Sequence, residues 1–97
     1  MFVVEEFNDR VVVRLPEEFN FKYHKEFREC YRHRSPTLTY ELDFRAVAHF
    51  DSAALGMLLL MRSHCGDKKA AIHLINCSPR IKKMLDTVSF GLYFHIE

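Results

Sequence analysis

Ser52 is the residue with the clearest chemical opportunity: it follows Asp51 and opens the apolar run from Ala53 to Met61. In structural terms, either Asp51 or Ser52 caps a helix by accepting a backbone N–H hydrogen bond on its side-chain oxygen. In chemical terms, a hydroxyl at the edge of an apolar patch is a phosphoryl acceptor. A phosphate there adds about −1.5 to −2 charge at neutral pH. The free N–H groups and dipole of a helix start favour an anion, whereas Asp51 opposes it. The fold should survive such a modification, while an apolar docking surface beside it would be spoiled.

Other chemistries find less support. The six histidines, His24, His33, His49, His64, His73 and His95, follow no metal-binding spacing. His64 adjoins Cys65, but tetrahedral zinc takes four ligands, or three and a water. There is no Gly-rich phosphate loop and no Gly-x-Ser-x-Gly around Ser52, so nucleotide binding by a P-loop and serine hydrolysis are not expected. The expectation is a protein without cofactor or metal, and not an enzyme. Cys30, Cys65 and Cys77 are odd in number and lack a CxxC pair, which reads as reduced thiols rather than a disulfide framework.

Fourteen Lys and Arg against 13 Asp and Glu leave a formal charge of +1, too little to imply nucleic acid without a concentrated basic face. Arg80 with Lys82 and Lys83, and Arg32 and Arg34 around His33, read as solvated helix ends. The nine Phe and four Tyr read as packing, not as a platform for stacked bases. The first residues are acidic where a signal peptide is basic, and Ala53 to Met61 is too short to span a bilayer. A soluble cytoplasmic protein is expected.

The elements that must position Ser52 follow from residue pattern. With 97 residues, 48% apolar and 28% charged, the chain has the length and balance of one globular domain, residues 1–97. Phe2-Val3-Val4 and Val11-Val12-Val13 flank the turn formers Asn8-Asp9 and predict a hairpin. Pro16 closes the second strand. A helix is predicted from about Phe21 to Arg32, capped by Asn20 and ended by Ser35-Pro36. Leu38, Tyr40, Leu42 and Phe44 alternate with polar residues and predict a strand with one apolar face. Asp51-Ser52 then opens a helix to about His64, and Ala71 to Ile75 is a further strand.

Ser78-Pro79 starts a third helix, with Ile81, Met84, Leu85 and Val88 as its buried stripe. Gly91 ends a turn, and Leu92, Phe94 and Ile96 alternate as a last strand. The order β-β-α-β-α-β-α-β predicts an α/β fold, a mixed sheet of four to five strands with helices packed against it.

The second helix is apolar on almost every side, unlike a surface helix with a polar face. It is either a deeply buried central helix or one that keeps an exposed apolar docking patch. Gly56 inside it costs about 1 kcal/mol relative to alanine, and Ala53, Ala54 and Gly56 would let a neighbouring backbone come close.

The stretch Asp43-Phe44-Arg45-Ala46-Val47-Ala48-His49-Phe50-Asp51-Ser52-Ala53-Ala54-Leu55-Gly56 resembles the signature of the STAS family. Asn76-Cys77-Ser78-Pro79 and the helix after it resemble the family's second landmark. The whole chain fits the family's element order, most closely that of the bacterial anti-sigma factor antagonists. The resemblance implies a phosphorylation-controlled partner switch. The unphosphorylated form binds an anti-sigma factor or a GHKL-type serine kinase, phosphorylation of Ser52 releases it, and a PP2C-type phosphatase restores it.

The residues implied to meet the partner are Asn20 and Phe21, in the loop before the first helix, and Asp51, Ala53, Ala54, Leu55, Gly56 and Met57. Two departures stand out. Ala53-Ala54 replaces the family's Ser-Gly pair, which sharpens the expectation on Ser52. The usual C-terminal helix is lacking, which would leave part of the sheet less covered and open to a partner or a second copy. A different outcome for the same fold is a non-enzymatic accessory subunit of a phospholipid transport complex, held constitutively by a transport ATPase.

Overall fold

The computed structural model describes residues 1–97. The predicted hairpin is β1 (Val3–Glu6) and β2 (Arg10–Arg14), antiparallel with Val4 opposite Val13. Its turn is closed by the Phe7 N–H donating to the Arg10 carbonyl at 2.8 Å. After β2 the chain crosses to β4 (Thr39–Asp43), then β6 (Ala71–Ile75) and β7 (His95–Ile96), each parallel to its neighbour. The five-stranded sheet has the order β1-β2-β4-β6-β7. It is mixed, as the strand–helix–strand pattern requires.

Strand alternation divides this sheet into two faces. Val11, Val13, Tyr40, Leu42, Ile72 and Leu74 are almost wholly buried and join the apolar sides of the helices in one cluster of 24 residues. On the alternate positions Arg14 pairs with Glu5, Arg10 with Glu41 at 3.3 Å, and His73 with Glu97 at 3.0 Å. That face is clad in ion pairs rather than by a helix.

Three helices carry the other side of the core: α1 (His24–Glu29), α2 (Ser52–His64) and α3 (Pro79–Thr87). The predicted first helix is shorter than its apolar spacing suggested. It opens as a 3₁₀ turn over Phe21–Tyr23 and ends at Glu29, where the Cys30 and Tyr31 amides bond three residues back. The Arg34 guanidinium then donates to the Cys30 carbonyl at 2.9 Å, satisfying one of the acceptors that a helix end leaves free.

Helix α3 starts as expected, with the Ser78 hydroxyl accepting the Ile81 N–H at 3.2 Å. Ile81 and Leu85 are buried, but Val88 is 42% exposed. The helix has ended there, and Ser89 turns the chain through a left-handed φ of 59°. Leu92 likewise lies in a 3₁₀ turn rather than a strand, 78% exposed, while Phe90 and Phe94 fill the core.

Asn76 joins the ends of two strands. It adopts the left-handed region (φ 57°), which asparagine tolerates better than most residues. Its amide donates to the buried Asp43 carboxylate at 3.0 Å, and the same oxygen accepts the Arg45 N–H at 2.9 Å. The β4 and β6 ends are thereby tied together through the first residues of the two signature segments, Asp43 and Asn76.

All three cysteines are free and buried. Burial pushes each thiol up from 9.0 to about 11, and it pushes the Tyr40 phenol up from 10.0 to about 12. The folded chain therefore holds these protons more tightly than the unfolded chain. That stabilisation is complete below the unfolded values and is lost as pH rises through the folded ones. The urea midpoint should accordingly fall between about pH 9 and 11, followed by circular dichroism; a midpoint unchanged to pH 11 would contradict it.

Candidate functional site

Two short strands outside the main sheet build the site. β3 (Glu18–Phe19) and β5 (His49–Phe50) form a parallel pair, with Glu18 opposite His49 and Phe19 opposite Phe50. The amides of Ala48 and His49 both donate to the Glu17 carbonyl, at 2.8 and 3.0 Å. Phe19 and Phe50 stack with ring centres 5.9 Å apart, and Phe44 and Phe27 pack on Phe19. The residues that follow this ladder are Asn20 on one strand and Asp51 on the other.

Both of those residues are caps. The Asn20 side chain accepts the Lys22 N–H at 3.0 Å and fixes the 3₁₀ turn. The Asp51 carboxylate accepts the Ala54 N–H at 3.0 Å and starts α2. They line one cleft of ≈ 280 Å³ with Ala48, His49, Phe50 and Arg80, and the Arg80 guanidinium donates to the Ala48 carbonyl. Capping by Asp51 leaves Ser52 as the first helical residue, exposed, with its hydroxyl outside the cap. Asp51→Ala should cost about 1 kcal/mol, or about 4–8 °C in Tm, while Asp51→Asn keeps the acceptor and most of the stability. Equal losses in thermal melts of the two variants would show that charge rather than capping matters.

Of the other expected contact residues, Phe21 is 58% exposed and Gly56 is also exposed, whereas Asn20, Ala53 and Leu55 are half-buried. Ala54 is fully buried and Met57 nearly so. Together with Leu58 and Met61 they form the core side of α2, spaced at 54, 57, 58 and 61 as a helix requires. A side chain at Gly56 would meet nothing within 4 Å, so no neighbouring backbone of this chain uses its small size. Both readings of the apolar helix thus hold in part. One side is core, and the other leaves Leu59 39% and Leu60 68% exposed.

Leu59 and Leu60 complete the exposed face beyond the expected site residues. Arg80 was legible only as a helix-end charge, because its place beside Ala48 depends on the crossover from β6 to α3. The histidines are dispersed, and no three His, Cys, Asp or Glu side chains converge on one point.

Residues 2–91 match the family model described as Mlab, STAS domain. The chain belongs to the STAS domain family. A STAS-domain containing protein of Pseudomonas aeruginosa is 39% identical to it over 88 residues, covering 90% of this chain and 87% of the relative. The STAS fold is also seen in a putative anti-sigma factor antagonist of Thermotoga maritima. The TM-score is 0.81 at 16% identity, over 98% of this chain and 84% of that one. The anti-sigma factor antagonist SpoIIAA in its unphosphorylated form superposes with a TM-score of 0.72 at 19% identity, over 100% of this chain and 87% of that one. The Bacillus cell fate determinant SpoIIAA in its phosphorylated form gives 0.69 at 18%, over 100% and 91%. At such identities these likenesses concern the α/β fold with its mixed five-stranded sheet.

Proposed function

We propose that this STAS domain is a non-enzymatic docking module whose hold on a protein partner is controlled by phosphorylation of Ser52. The observation that carries the proposal is the division of labour at the start of α2. Asp51 does the capping, and Ser52 stands exposed with a free hydroxyl on a helix that also presents Leu59 and Leu60. A kinase partner of the GHKL type would transfer the γ-phosphoryl group of ATP to the Ser52 Oγ, releasing ADP and the hydroxyl proton. A PP2C-type phosphatase would return serine and inorganic phosphate by hydrolysis.

The dianion sits at a helix N-terminus that tolerates negative charge, so the fold persists. Apolar partner surface that must desolvate the phosphate does not. The unphosphorylated domain then binds an anti-sigma factor or the kinase itself, and the cycle runs in the cytoplasm.

Co-expression with candidate serine kinases, followed by intact-mass and peptide mass spectrometry, tests this. Phosphate confined to Ser52 together with partner release supports the switch. A second reading of the same fold is a constitutive accessory subunit of a phospholipid transport complex, since the family model that matches residues 2–91 names a STAS domain and no anti-sigma factor antagonist. An unmodified protein held in a stable complex with a transport ATPase would decide for it.

A further inference from the structure

We propose that the groove between α1 and α2 receives an acidic amphipathic helix of the protein partner. This rests on the reading of α2 as a docking helix and assigns the chemistry of what docks there. The groove has a volume of ≈ 510 Å³. Its floor is apolar, with Phe27 1%, Met57 4% and Tyr31 5% exposed. Its edges are Phe21 and Leu60, the most exposed large apolar side chains of the two helical segments. Phe21 is held in place by stacking on His24, with ring centres 4.2 Å apart, and by the His24 Nδ1 contact to its carbonyl at 2.8 Å.

Charge selects the occupant. Four of the nine residues lining the groove are basic (His24, Arg28, Arg32 and His64), and none is Asp or Glu. Arg28 forms no ion pair within the chain. Arg32 pairs only with Glu29, at 3.1 Å between exposed side chains, an exchangeable contact of little worth. A chain with net charge +1 has thus lined its open apolar trough with two arginines and two histidines and with no acid, Glu29 lying just outside it against Arg32. A helix seats apolar residues at i, i+3 or i+4 and i+7 in such a trough, with carboxylates on its flanks meeting the arginines. The trough is concave and floored by buried side chains, which fits a helix better than a flat lipid surface.

The probe is a fluorescein-labelled synthetic helix of about 16 residues, carrying leucines at helical spacing between glutamates, with a lysine-flanked counterpart. Anisotropy with the full chain should give saturable binding of the acidic peptide only. Arg28→Glu and, separately, Leu60→Ser should each weaken it at least about tenfold. Both positions are exposed, and far-UV circular dichroism confirms that each variant is folded. Arg32→Glu serves as the replacement should either fail to fold.

Absence of saturable binding, equal binding of the lysine peptide, or undiminished binding by Arg28→Glu would overturn the proposal. So would co-flotation with phosphatidylglycerol vesicles in place of peptide binding. A Ser52-phosphorylated domain that releases a partner indifferent to Arg28→Glu would sink the groove and leave the switch standing. Acidic-peptide binding by a domain that no kinase modifies would do the reverse.

Discussion

Phe19→Ala will lower the unfolding free energy by about 3–5 kcal/mol, the usual cost of truncating a buried phenylalanine. Phe19 is fully buried, and its ring meets those of Phe2, Phe27, Phe44 and Phe50 at centre distances of 5.0 to 6.2 Å. No single neighbour can collapse into the space without leaving another contact. A domain of this size commonly has about 5–15 kcal/mol of stability in total, so the variant should keep only part of its urea midpoint. The damage reaches the site as well, because Phe19 and Phe50 are the paired residues immediately before Asn20 and Asp51. Urea titration measures the loss. A change below about 1 kcal/mol would mean that the aromatic cluster repacks around the gap.

Ser52→Asp will weaken partner binding on the order of 100-fold, equivalent to about 2.7 kcal/mol, while Ser52→Ala binds within a few-fold of the unmodified domain. Position 52 is exposed at a helix start where a carboxylate gains about 0.3–1 kcal/mol from the dipole, and Asp51 offsets part of that gain. The Tm of Ser52→Asp should therefore stay close to that of the parent, which separates lost docking from lost folding. Titration calorimetry with the purified partner, alongside thermal melts, checks both halves. Equal affinity of the two variants would end the switch proposal and leave the fold untouched.

Residue pattern made the main elements legible wherever local signals agreed. The Asn8-Asp9 turn, the β4 alternation and the Ser78-Pro79 helix start each combine turn or cap chemistry with apolar spacing, and all three form as expected. Signals failed where an apolar residue met no local stop. Val88 continues the α3 stripe and Leu92 starts an alternation, yet both lie outside their elements because the chain turns through a left-handed Ser89.

The two-residue β3 and β5 strands carry no period at all; they exist through a pairing across 31 positions. The Ser52 site was legible as a motif, with Asn20 added by the family resemblance, but what sets Asn20 beside Asp51 is that pairing, and Arg80 reaches them only through the α3 crossover. The groove was illegible for the same reason: His24, Arg28, Arg32 and His64 look like scattered surface charge until α1 is laid against α2.

The ladder that holds Asn20 beside Asp51 is only two residues long in each strand, whereas β4 is bonded along its length to β2 on one side and β6 on the other. In hydrogen-exchange terms, the β4 amides should exchange only when the whole domain opens. The ladder has few hydrogen bonds of its own, but Phe19 and Phe50 are seated in the same core, so the backbone beside the proposed switch should open with the scaffold rather than ahead of it.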